Sequence, residues 1–226
     1  MQTNNIPMSR AVDWYKQGWA IFSKDMTNWV LMALLLGVGA IVLNVLPIIG
    51  QIILLVLMPS LIGGLQFAAQ EASEGRPVKL EYLWSVLKSS SQRNQFLALG
   101  GIMFAAAVTI AIISAAFVGD SLLRGASSGL MGFGFGGMLF MLIVGFASFV
   151  MFNYTVALML FRNMPLFDAL KSCAATASTQ IAPLLVFFLL YAVAAAIASI
   201  PFGLGLLVVI PVTAIAVYVS HKELFA

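Results

Sequence analysis

The stretch from Trp29 to Ala69 reads WVLMALLLGVGAIVLNVLPIIGQIILLVLMPSLIGGLQFAA, without one Asp, Glu, Lys or Arg. A bilayer's hydrocarbon core is about 30 Å thick and takes roughly 20 apolar residues per helix. Two such helices fit here, Trp29–Leu46 and Ile48–Ala69, divided by the tight break Leu46-Pro47-Ile48-Ile49-Gly50. The stretch reads as a transmembrane hairpin.

Four further apolar runs follow: Phe96–Val118, roughly Phe135–Phe161, Leu184–Ile200 and Leu204–Ser220. A second tight break, Pro201-Phe202-Gly203, joins the last two. A polar stretch (Gln70–Gln95), a Gly/Ser-rich loop from Gly119 and a mixed stretch (Arg162–Ala182) connect the rest. The 226-residue chain is 62% hydrophobic and 8% charged, against about 25% charged residues in ordinary globular domains. A water-soluble fold is excluded. The expected fold is an all-α integral membrane protein with six transmembrane helices, one polytopic domain over residues 1–226. About 27 polar and amphipathic residues precede the first run, with no short apolar core ending in a cleavage site, so the N-terminus is expected to be retained.

The cations give the orientation. Arg10, Lys16, Lys24, Arg76, Lys79, Lys88, Arg93, Arg162, Lys171 and Lys222 all fall on one side of a six-span topology, and only Arg124 falls on the other. Short loops rich in Lys and Arg stay in the cytoplasm, so both termini are expected inside. The net charge of +3 is spread over several short loops. It forms no basic stripe of the kind a phosphate backbone requires, so no nucleic-acid partner is expected. The lipid bilayer is the expected partner, together with another membrane or cytoplasmic protein.

The segments on the cation-rich side are amphipathic. Met8, Ala11, Val12, Tyr15, Trp19 and Phe22 recur at helical spacing, with Arg10, Asp13, Lys16 and Gln17 largely opposite. Leu80, Leu83, Trp84 and Leu87 repeat the idea beside Lys88, and Leu166, Leu170, Cys173 and Ala174 repeat it beside Lys171. Two readings fit. The segments cap the bundle, or Arg10, Lys16, Trp19, Trp84, Lys88 and Lys171 form an interfacial surface for a partner or for charged lipid.

The two ends of the chain also resemble each other. Asp13 and Lys16 match Asp168 and Lys171 at an offset of 155, Pro47 matches Pro201 at 154, and Pro59 and Glu71 match Pro211 and Glu223 at 152. Each copy reads as an interfacial helix, a span, a Pro-Gly hairpin and a second span. The middle of the chain has the same layout without a mid-span proline, giving repeat-like units of approximately 1–75, 76–163 and 164–226. Such parallel repeats occur in some transporters, and duplication also builds scaffolds.

Few residues inside the spans could carry chemistry. Pro59 and Pro211 each lack an N–H and leave the carbonyls of Leu55 and Leu207 without their helical partner. Gln66, Asn153 and Tyr154 are positioned to converge, as interhelical glue or as a pocket. No Asp, Glu, Lys, Arg or His lies deep in a span, which opposes an ion-coupled carrier. Asp120 and Arg124 read as a solvated pair, and the glycines from Gly125 to Gly137 as a flexible loop whose Gly132/Gly136 spacing suits helix packing. Ala192, Ala196, Ala195 and Ser199 offer small faces for helix contact. The single histidine, His221, has no partner triad, and no Cys/His/Asp/Glu cluster has metal spacing, so no catalytic residue and no cofactor is expected. Cys173 reads as a small packed residue.

Gly18-Trp19-Ala20-Ile21-Phe22, Leu46-Pro47-Ile48-Ile49-Gly50, the mid-span Pro59 and the segment Pro165–Ser172 together resemble an uncharacterised family of bacterial six-span inner-membrane proteins. That family lies near the multi-pass membrane domains fused to some glycerophosphodiesterases. The resemblance implies a bacterial cytoplasmic membrane and brings no catalytic residue, since no phosphodiesterase domain is present. The expected function is a non-enzymatic inner-membrane protein that binds partner proteins or lipids. The alternative is a small permease or channel for a neutral or apolar solute, with a path near Pro59, Pro211, Gln66 and Asn153.

Overall fold

The computed structural model describes residues 6–123 and 134–225, with side chains at 6–115 and 137–225. The Asp120–Arg124 pair, the glycine-rich loop and the Gly132/Gly136 spacing lie outside the described residues. The described chain is helical, without strands. Its elements are α1 (Arg10–Phe22), α2 (Met26–Asn44), α3 (Ile49–Ser73), α4 (Ser85–Lys88), α5 (Ser90–Leu123), α6 (Gly134–Arg162), α7 (Leu166–Thr179), α8 (Ile181–Ser199) and α9 (Leu206–Leu224). A 3₁₀ turn, Leu80–Trp84, leads directly into α4. Helices α2, α3, α5, α6, α8 and α9 are long and apolar enough to cross a membrane. The chain is a multi-pass, all-α membrane protein.

Two hairpins close the bundle at one end, and both turn at a proline. Pro47 and Pro201 are each followed by a non-glycine residue in the left-handed region, Ile48 at φ 68° and Phe202 at φ 53°. Such a conformation strains a bulky side chain, and here it turns the chain through the tight break. The helices then meet so closely that a Cβ on Gly50 would collide with the carbonyl of Leu43. One on Gly205 would lie 2.7 Å from the Cα of Ala198.

Helices α3, α6 and α9 touch one another and form an inner group, while α2, α5 and α8 pack outside them. The short elements gather at the opposite end as a collar. There α1 lies along α9, the segment Leu80–Lys88 lies on α3, and α7 lies on α6. Close packing is concentrated at this collar end. The largest fully buried side chains, among them Trp14, Trp29, Phe96, Leu65, Leu158 and Phe187, belong to the collar helices or to the adjoining halves of the spans. Toward the hairpins α2 exposes most of its length, and α5 does so as far as residue 115, as helices facing lipid do.

The face that each collar helix buries follows the sequence expectation only in part: Ala11, Phe22, Leu83, Leu166 and Cys173 are buried as expected, and Trp19, Trp84 and Ala174 are not. Helix α1 buries Ala11, Trp14, Gly18 and Phe22 and exposes Val12 and Trp19, and Met8 just before it is exposed too. Leu83 and Val86 are buried while Trp84 is exposed, and α7 buries Leu166, Ala169 and Cys173 while Ala174 is exposed. The reason is contact with a neighbouring span rather than with a headgroup layer. A Cβ on Gly18 would lie 3.0 Å from the carbonyl oxygen of Val212, so α1 presents its flattest side to α9. Arg10 pairs with Glu223 near one end of this contact, and Gly18 meets Val212 and Ala216 about two turns farther along α1. Trp14 Nε1 donates to Glu223 Oε2 at 3.0 Å between them. Helix α1 therefore runs alongside α9.

Candidate functional site: an intramembrane cavity and the collar above it

Between the spans, from the middle of the bundle toward the hairpin end, lies a cavity of about 530 Å³ that is partly open to the surface, with Leu55 and Ala106 of its lining exposed. All six spans line it: Gly37 on α2, Met58 on α3, Ala107 on α5, Asn153 on α6, Tyr191 on α8 and Thr213 on α9 are representative. Its position follows from packing. Collar-end halves are held by large buried side chains, whereas Gly37, Ala40, Ala106 and Ala107 leave the hairpin-side halves with too little volume to fill the centre. Among the described residues the lining is aliphatic and aromatic except for Ser148, Asn153, Tyr191 and Thr213, and it contains no charged side chain.

The sequence-selected polar residues sit at different depths around this space. Asn153 lines it and donates from Nδ2 to the Phe149 carbonyl at 2.9 Å. Gln66 is fully buried and donates from Nε2 to the Asn153 carbonyl at 3.1 Å, joining α3 to α6. Tyr154 turns away and bonds Ser220 of α9 at 2.7 Å. Because the Ser220 hydroxyl proton is used on the Val217 carbonyl, Tyr154 is the donor. Gln66 and Tyr154 thus belong to the packed layer that closes the cavity toward the collar, and neither lines it.

Pro59 and Pro211 are buried within unbroken helices α3 and α9. Their neighbours Met58 and Ile210 line the cavity, as does Leu55, whose carbonyl lacks the N–H that residue 59 would have supplied. Sequence reasoning passed over Ser148 and Thr213 as lining groups. The signal was a hydroxyl inside an apolar run, which is too common in membrane helices to stand out.

At the collar the surface residues are placed as follows. Arg10 is bound to Glu223 and lies 3.3 Å from Asp13. Lys16, Trp19, Trp84, Lys88 and Lys171 are exposed. Trp84 and Lys88 share one short helical stretch, and Lys16 and Lys171 lie on α1 and α7. The Cys173 thiol is buried 3.6 Å from the Val150 carbonyl, and burial pushes its pKa up to about 12. Burial likewise raises the Tyr15 phenol, which stacks on Phe187. Among the described residues no group of three or more His, Cys, Asp or Glu could hold a metal. Comparison with protein-family models, curated proteins and solved structures gave no match to this chain.

Proposed function

We propose that this is a non-enzymatic protein of a bacterial cytoplasmic membrane, with both termini in the cytoplasm, that binds lipid within its helix bundle. The cavity carries this reading. Its volume falls in the 300–1,000 Å³ range of small-molecule sites. It is several times the roughly 150 Å³ of an apolar cavity that takes up benzene. A charge-free apolar lining at the depth of the hydrocarbon core suits an acyl chain, and Asn153 and Thr213 supply hydrogen-bonding capacity for an uncharged polar end.

The test is purification in gentle detergent, followed by mass spectrometry of retained lipids, small molecules and proteins. A stoichiometric lipid is expected. It should be lost in Gly37→Phe, because Gly37 lines the cavity and a Cβ there meets nothing within 4 Å, so the added ring takes up cavity space. Equal lipid retention by wild type and Gly37→Phe overturns the cavity reading, and a retained protein without lipid favours a scaffold.

A second reading, a permease for a neutral solute, is favoured by Leu55 in the cavity wall, whose carbonyl Pro59 leaves without its helical N–H partner. Under it the layer of Gln66, Asn153 and Tyr154 is the closed gate. Gln66→Leu, which leaves the cavity lining untouched, would then alter solute flux in proteoliposomes, whereas under the lipid-binding reading it changes only stability.

A further inference from the structure

Three six-residue segments of the collar share one pattern. They are Ala11-Val12-Asp13-Trp14-Tyr15-Lys16, Leu83-Trp84-Ser85-Val86-Leu87-Lys88 and Leu166-Phe167-Asp168-Ala169-Leu170-Lys171. In each, the first and fourth residues are buried (Ala11 and Trp14, Leu83 and Val86, Leu166 and Ala169). The second is exposed although large and apolar: Val12 at 41%, Trp84 at 43% and Phe167 at 68%. The sixth is an exposed lysine.

The packing around them is cyclic. The first segment sits on α9, the second on α3 and the third on α6, so each lies on the second span of the hairpin before it, and α3, α6 and α9 touch one another. The pattern occurs on three sides of one bundle end. It places an apolar side chain and a lysine four residues apart, on one face of a short helical stretch, in three equivalent settings.

We infer that these three apolar–lysine pairs, Val12/Lys16, Trp84/Lys88 and Phe167/Lys171, bind the headgroups of anionic phospholipids. Burial does not explain the second position, since the first and fourth already provide the packed face. An exposed apolar side chain beside an ammonium matches the edge of a leaflet, where the apolar group enters the acyl region and the lysine reaches a phosphate. Charge favours an anionic occupant. This end of the bundle holds ten of the eleven Lys and Arg residues and seven of the eight Asp and Glu residues. Five of those acids, Asp13 (with Arg10), Glu71, Glu74, Glu81 and Glu223, already have cationic partners. Lys88 and Lys171 have no acid within 4 Å among the described residues, and Lys16 reaches Asp13 only at 3.9 Å. The inference is independent of the cavity: an empty cavity leaves it standing.

The full-length protein is reconstituted in vesicles of four parts phosphatidylcholine to one part phosphatidylglycerol, with a trace of one pyrene-labelled lipid. Energy transfer from the tryptophans reports which lipid surrounds the protein. Wild type should enrich labelled phosphatidylglycerol over labelled phosphatidylcholine. Each Lys→Gln change at 16, 88 or 171 should weaken this preference by about fivefold in affinity, from roughly 1 kcal/mol per cation near an anionic surface. The triple variant should abolish it. High salt, which shortens the screening length to about 3 Å at 1 M, should abolish it in wild type without any substitution. Equal transfer to the two lipids in wild type overturns the proposal, and so does a preference that survives both the triple variant and salt. A triple variant that keeps the lipid preference and loses a co-purifying protein overturns it in favour of a protein-docking face.

Discussion

Two adjacent glycines of α5 test the packing of the bundle most sharply. A Cβ on Gly100 would lie 2.7 Å from both the carbonyl carbon and the Cα of Val56, with the Val56 oxygen closer still, whereas a Cβ on Gly101 meets nothing within 4 Å. Ordinary contact begins near 3.4 Å, so Gly100→Ala forces α5 at least about 0.7 Å away from backbone that no rotamer change can move. A radial gap of 0.5–1 Å forfeits a quarter to a half of the dispersion energy of each affected atom pair, and α3 and α5 share a long contact. Overpacking of this kind costs about 1–3 kcal/mol. The better helix propensity of alanine returns about 0.5–1 kcal/mol. The net expectation is a loss of about 1–2 kcal/mol for Gly100→Ala and a gain of up to about 1 kcal/mol for Gly101→Ala. The resulting gap of about 2 kcal/mol is more than tenfold in the unfolding equilibrium. Reversible unfolding in mixed micelles, followed by helicity or tryptophan emission, reads the difference directly. Two variants of equal stability, or the reverse order, would refute the close approach of α5 to α3.

Tyr154→Phe removes the buried hydrogen bond to Ser220 while Ser220 keeps its bond to Val217. It should cost about 0.6–1.5 kcal/mol in the same assay and leave retained lipid unchanged. Cys173 should resist maleimide in the folded protein at pH 8, where a thiol with a pKa of about 12 is on the order of one part in ten thousand thiolate. It should label promptly in denaturant, and rapid labelling of native protein would contradict its burial against α6. A reporter fused after Ala226 should be active in the cytoplasm; a signal from the far side of the membrane would break the even number of spans.

The spans were legible because hydropathy is local. Trp29–Ala69 announces two helices without reference to any other residue, and the structure places α2 and α3 there with their ends shifted by a few residues. Helix α5 begins six residues before Phe96, because Ser90–Asn94 are polar yet continue the helix at the collar. The candidate site was legible in part. Gln66 and Asn153 are joined as their depth in the spans allows, but the cavity emerged only from the way all six spans come together around Gly37, Ala40, Ala106 and Ala107. Its walls are made of residues with no individual signature.

The amino-acid sequence by itself determined that this is an all-α membrane protein, where its six apolar helices lie and that its cations gather at one end. Each of these is a property of short windows of chain. Only the tertiary structure decided that α3, α6 and α9 are inner helices, that Trp14 rather than Trp19 faces them, and that about 530 Å³ stays open toward the hairpins. The physical reason is that lipid tails are as apolar as leucine. Hydrophobicity sorts residues against water but does not sort a lipid-facing side chain from a core-facing one. That choice is made by shape, when Gly18 lets α1 settle on Val212 and Ala216 almost two hundred residues away.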